Sequence, residues 1–149
     1  MSNASFLRRL GRGVALAALL GSLVVVTSAC EEAFSGPSID SMTVEPDTIP
    51  KTDVGMFDEF FTITIQVSGF EAPIADATAF IADNNKEAPE THPDYRETVQ
   101  GNTITMENIP KQWFKGQPPG IYDIGAEVVD EDGTSDQQRN LATVTVTDN

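Results

Sequence analysis

The sequence predicts an all-β domain, a two-sheet sandwich of about seven short strands. Three observations point there. From Ile39 onward, apolar residues recur with a period of two instead of the 3.6 of a helix. Turn formers such as Pro46, Pro50, Gly69, Pro73, Pro89, Pro93, Pro110 and Gly133 cut that pattern into short runs. No stretch after Cys30 shows the spacing of a convincing helix.

In chain order, Ile39–Glu45 is a first, weakly patterned strand. Phe61, Ile63, Ile65 and Val67 then alternate with Thr62, Thr64, Gln66 and Ser68, the clearest half-buried strand of the chain. Successive strand side chains point to opposite faces, so this alternation means one packed face and one wet face. Ala75–Ala82 is a third run, in which either Phe80 or Ile81 can face the core. Tyr95–Gln100 and the run Thr103–Met106 flank Gly101-Asn102, a two-residue hairpin signal. Tyr122, Ile124, Ala126 and Val128 alternate with Asp123, Gly125 and Glu127; Ala142, Val144 and Val146 alternate with Thr143, Thr145 and Thr147. There is no internal repeat and no low-complexity tract, and the last run ends close to Asn149, so one domain, residues 39–149, is expected.

The segment Pro119-Gly120-Ile121-Tyr122-Asp123-Ile124 resembles the E–F corner and start of strand F in the immunoglobulin-like superfamily. The resemblance covers roughly Ile39 to Asp148. It implies that the Tyr122 hydroxyl caps the corner. Ile124 stands where antibody domains carry a cysteine, so the likeness is to a disulfide-free bacterial branch. Members of this superfamily work in many ways, so it implies a scaffold for binding more than any chemistry.

Charge divides the chain sharply. Residues 1–29 hold Arg8, Arg9 and Arg12 and no acidic residue, whereas the rest holds six Lys or Arg against 23 Asp or Glu, a net −17. Such a charge argues against nucleic acid, because phosphate contacts need Lys and Arg. The three arginines precede Val14–Val26, a 13-residue run that is apolar apart from Gly21 and Ser22. A membrane span needs about 20 such residues, whereas a signal-peptide apolar region of roughly 7–15 fits. Thr27, Ser28 and Ala29 follow, then Cys30, the only cysteine, which has no internal disulfide partner. Ser28-Ala29-Cys30 resembles the lipobox of bacterial lipoproteins, although Thr27 stands where that family usually carries Leu. The resemblance implies cleavage before Cys30 and acylation of its sulfur by a diacylglyceryl group. Two or more acyl chains make a lasting anchor without a transmembrane helix. The expected division is a signal peptide over 1–29, a lipidated tether over 30–38 and the domain beyond. Inner or outer membrane, and oligomeric state, stay open.

Candidate sites are few. His92, the only histidine, lies in a polar loop beside Pro93, without the positioned partners that nucleophilic catalysis requires. No catalytic set and no cofactor is expected, and zinc lacks its ligands. Asp130, Asp132 and Asp136 lie in the densest acidic cluster, which reads first as a hairpin turn around Asp132-Gly133 and only weakly as a calcium candidate. Trp113 and Phe114, with Lys115 beside them, read either as partner contacts or as a plug for one end of the sandwich. If successive loops alternate ends, 69–74, 101–102 and 130–136 share the anchored end, and 46–56, 84–94 and 109–120 lie at the far one. Trp113, Phe114, His92 and Lys115 would then meet a protein or glycan partner. The expected function is a non-enzymatic envelope lipoprotein presenting a binding or structural module. A small envelope hydrolase or enzyme accessory, or a calcium-stabilised adhesion module, remain as alternatives.

Overall fold

The computed structural model describes residues 36–148, apart from Phe57 and Thr91. The leader and Cys30 therefore lie outside the described residues, as does most of the tether. The described chain forms nine strands: β1 Ser38–Glu45, β2 Thr48–Pro50, β3 Phe60–Ser68, β4 Ile74–Ile81, β5 Lys86–Glu87, β6 Arg96–Gln100, β7 Thr103–Pro110, β8 Gly120–Asp130 and β9 Ser135–Thr147. The helical segments among them are two 3₁₀ turns, Asp53–Gly55 and Lys111–Phe114. Among the described residues no helix is long and apolar enough to cross a membrane.

The strands build two sheets, ordered β1-β3-β7-β6 and β2-β9-β8-β4-β5. Every pairing is antiparallel except β2 with β9, which is parallel. The all-β, two-sheet expectation holds. The seven expected strands become nine because β2 and β5 are too short and polar to show a period. Ile49 is the one buried side chain of β2, and it seats that edge on the core. The alternation of β3 plays out as expected, with Phe61, Ile63, Ile65 and Val67 buried and Thr62, Thr64, Gln66 and Ser68 on the wetter face.

Irregularities explain where the period is blurred. The register between β1 and β3 skips Asp40, so Ile39 and Met42 both face inward although three positions apart. Between β3 and β7 the register shifts after Phe61, and Asn108 takes the left-handed φ of 59° that such a bulge requires. In β4 both Phe80 and Ile81 are buried, on opposite faces. Ile81 joins the inter-sheet core with Ala77 and Ala79. Phe80 instead covers Gly125 on the outer face, where the Arg139 guanidinium lies 5.9 Å from its ring centre. A Cβ on Gly125 would come within 2.6 Å of the Phe80 ring and 2.5 Å of the Gln138 carbonyl, so only glycine fits. Around that glycine, β9 carries Arg139, Asn140 and Leu141 opposite a single residue of β8.

One end of the sandwich is where the described chain begins. Pro37 shares a groove there with Gly69, Glu71, Asp130, Asp132 and Thr134, and the Glu131 amide donates to the Pro73 carbonyl at 2.9 Å. The opposite, far end gathers the connections 46–59, 82–95 and 111–119. They are tied by Lys111 to Asp53 and Glu59, by Lys86 to the 113–115 carbonyls, and by Asn108 Nδ2 to the Asp94 carbonyl at 2.8 Å.

Candidate functional site

The far end was the expected contact surface, and its aromatic residues turn inward. Trp113 is 2% exposed and Phe114 is fully buried. The 3₁₀ turn Lys111–Phe114 tucks both rings under the end of the sandwich. Trp113 stacks on Phe61 with centroids 5.7 Å apart and planes 13° off parallel, and Phe114 bridges to Tyr122 at 5.7 Å. The indole Nε1 donates to the Lys86 carbonyl at 3.0 Å, which satisfies its one polar group. The rings of Trp113 and Phe114 thus plug the core, the second of the two readings their sequence allows.

The Tyr122 hydroxyl donates to the Pro118 carbonyl, four residues upstream. Burial, with the nearby Asp83 charge, pushes the Tyr122 hydroxyl above its ordinary pKa, so it stays a donor.

His92 is half-buried. Its ring meets Phe60 edge-on at 5.1 Å and its Nδ1 accepts from the Asp94 amide at 3.2 Å, so it organises its own loop. Lys115 alone of the four expected contacts is exposed. It faces an open groove of about 440 Å³ whose other wall holds Lys51, Val54 and Gly55. Lys51 is the residue the sequence reading missed. It sits in a turn after a short strand that no periodicity reveals, and only the fold brings it to Lys115.

Near the groove a buried lysine pairs with two part-exposed carboxylates. Lys111, 6% exposed, places Nζ 3.1 Å from both Asp53 Oδ2 and Glu59 Oε2. Burial opposes the ammonium charge, but the bonds to the two carboxylates outweigh it and hold the Lys111 pKa above its ordinary value. Lys86 has no carboxylate partner. It donates to the Trp113 and Lys115 carbonyls, and burial lowers its pKa.

The acidic hairpin at the opposite end turns two of its carboxylates onto the fold. Asp130 is 3% exposed, and its Oδ1 accepts from the Asp132 amide at 3.1 Å and the Thr134 amide at 2.7 Å. Asp136 Oδ2 accepts from the Ile39 amide at 2.8 Å and from Gln138 Nε2 at 2.9 Å, clamping β1 to β9. Two of the three calcium candidates are thus committed to the fold, and among the described residues no His, Cys, Asp or Glu groups gather as a metal set. The Asp130 bonds are those of a side-chain-capped turn, the other reading the sequence allows.

One further cluster lies along β4, β5 and β6. Burial raises the pKa of Glu90, helped by the charges of Asp76, Glu97 and Glu87. Burial also raises Glu97, with Asp76 adding to the shift and the Tyr95 hydroxyl, 3.1 Å from Glu97 Oε2, opposing it. Tyr95 is pushed far above its ordinary value by burial and the same carboxylates. Neither Glu90 nor Glu97 lines the grooves at the two ends of the sandwich.

The fold and the site define a two-sheet all-β domain with a cation-walled groove at one end. The sequence matches no protein-family model, and no curated protein matches it.

Proposed function

We propose that the chain is an exported lipoprotein, acylated on Cys30 and held to a bacterial envelope, that presents an immunoglobulin-like module for non-enzymatic binding. The observation that carries the module reading is the pairing order. β1-β3-β7-β6 and β2-β9-β8-β4-β5 correspond to the A-B-E-D and A′-G-F-C-C′ sheets of such a sandwich, with the Tyr122 corner where strand F begins. The lipoprotein reading draws on the arginine-led apolar leader and on Ser28-Ala29-Cys30.

In this reading a partner, protein or glycan, meets the far end. The chain enters the domain at Pro37, beside the 69–73 and 131–134 turns, whose charges Glu71, Glu131 and Asp132 are all negative. Those carboxylates hold the anchored end off an anionic lipid surface. Labelled palmitate supplied to a bacterium expressing the full chain tests the anchor. Label and membrane fractionation are expected for the parent and lost in Cys30→Ser, and a soluble, unlabelled parent overturns the reading. A second reading, a small envelope hydrolase, rests on the two raised carboxylates. It requires that Glu90→Gln and Glu97→Gln each abolish a measurable hydrolysis of envelope material.

A further inference from the structure

We propose that the groove between Lys51 and Lys115 binds an acidic peptide segment of a partner protein, one carrying carboxylates together with apolar side chains. This deepens the binding reading above and rests on it only for which end of the domain a partner meets. The groove is walled by Lys51, Val54 and Gly55 on one side and by Lys115 to Pro118 on the other, and among the described residues no carboxylate lines it. Of the four lysines after Cys30, Lys111 is neutralised by Asp53 and Glu59, and Lys86 is spent on backbone carbonyls. Lys51 and Lys115 are exposed and form no ion pair among the described residues. On a domain whose charge after residue 29 is −17, two free ammonium groups around a carboxylate-free groove are a local inversion of sign. Screening over about 8 Å at physiological salt confines the surrounding negative charge, so the contact itself is favourable to an anion.

The groove is also set in place before a ligand arrives. The Lys111 ion pairs tie the 53–59 wall to the 111–118 wall, which lowers the ordering cost of binding. A Cβ on Gly55 or Gly116 would meet nothing within 4 Å, so the space over both backbones is open to a ligand. A peptide fits better than a sugar. Sugars are held largely by exposed aromatic rings, and Trp113, Phe114 and Tyr122 are 2%, 0% and 8% exposed. The large exposed apolar residues that follow the groove walls along the chain are not aromatic: Met56, next to Gly55 in sequence, is 54% exposed, and Ile121, three residues beyond Pro118, is 71% exposed. Aliphatic side chains beside ammonium groups complement an acidic chain with apolar positions.

The test uses the full chain and a fluorescein-labelled peptide of repeated Glu-Glu-Leu, read by fluorescence anisotropy. A Lys-Lys-Leu peptide and polygalacturonate serve as comparisons. Saturable binding of the acidic peptide is expected, weakening as salt rises from about 50 to about 300 mM. Charge reversal at both Lys51→Glu and Lys115→Glu is expected to weaken it by at least about tenfold. Gly55→Leu, at a position without positive φ, fills the groove and is expected to do the same while melting like the parent. No saturable binding, or binding indifferent to these changes, overturns the proposal. Polygalacturonate bound as tightly as the peptide also overturns it, in favour of an acidic glycan. Cys30→Ser leaves peptide binding unchanged if the proposal holds, so failure of the groove and failure of the anchor are read separately.

Discussion

Trp113 separates two accounts of the far end, because a contact residue and a core residue respond oppositely to truncation. Trp113→Ala removes an indole that is 2% exposed, stacked on Phe61, tilted against Phe114 at 5.2 Å and bonded to the Lys86 carbonyl. Burial of this kind costs about 3–5 kcal/mol when truncated, because the cavity closes only in part. Domains of this size have about 5–15 kcal/mol in all. Each kcal/mol shifts Tm by roughly 4–8 °C in small domains, so a fall of roughly 12–40 °C is expected. Trp113→Phe keeps the stack and removes the indole bond to the Lys86 carbonyl, so it should cost only about 1–2 kcal/mol. Thermal unfolding by circular dichroism measures both. Trp113 is also the only tryptophan, so its native emission should be blue-shifted and shielded from acrylamide. If Trp113→Ala melts within about 2 °C of the parent, or the native indole is quenched like a free one, the core assignment is wrong.

Other perturbations probe separate parts of the fold. Gly125→Ala should destabilise by about 1–3 kcal/mol in urea unfolding. Adding Phe80→Ala should not rescue it, since the Gln138 carbonyl still lies 2.5 Å from the new methyl. Asp130→Ala should cost about 1–2 kcal/mol by freeing the Asp132 and Thr134 amides, whereas chelation of the parent should leave its melting temperature unchanged. Lys111→Ala should cost about 2 kcal/mol by the same assay. That is below the usual figure for a broken buried pair, because the Asp53 and Glu59 side chains are 26% and 47% exposed and can rehydrate. Glu90 and Glu97 have pKa values raised on folding, so the native state holds their protons more tightly and stability is lost as pH rises through those values. The melting temperature should therefore rise as pH falls toward the ordinary carboxylate range, and Glu97→Gln should shrink that rise.

Strands that bury one face were legible because burial writes a period of two into β3, β7 and β8. The same rule misses β2 and β5, whose three and two residues are too few to carry a period. It misses the first half of β9 as well, where Ser135–Asn140 is polar and largely exposed and is held by backbone pairing to β8. Phe80 and Ile81 could not be resolved from sequence because both are buried, one under the sheet and one over it. At the candidate site the aromatic residues were visible but their direction was not, since a 3₁₀ turn decides whether Trp113 points in or out. Lys51 was invisible as a partner of Lys115 because 64 positions separate them in the chain and only the sheet order closes that distance.

The account stands most directly on what happens at Cys30. Mass spectrometry of the mature N-terminus, from protein extracted out of bacterial membranes, decides it. A chain beginning at Cys30 and carrying the mass of a diacylglyceryl group, with or without a further N-acyl chain, is expected. A mature chain that begins elsewhere, or begins at Cys30 with an unmodified thiol, contradicts it.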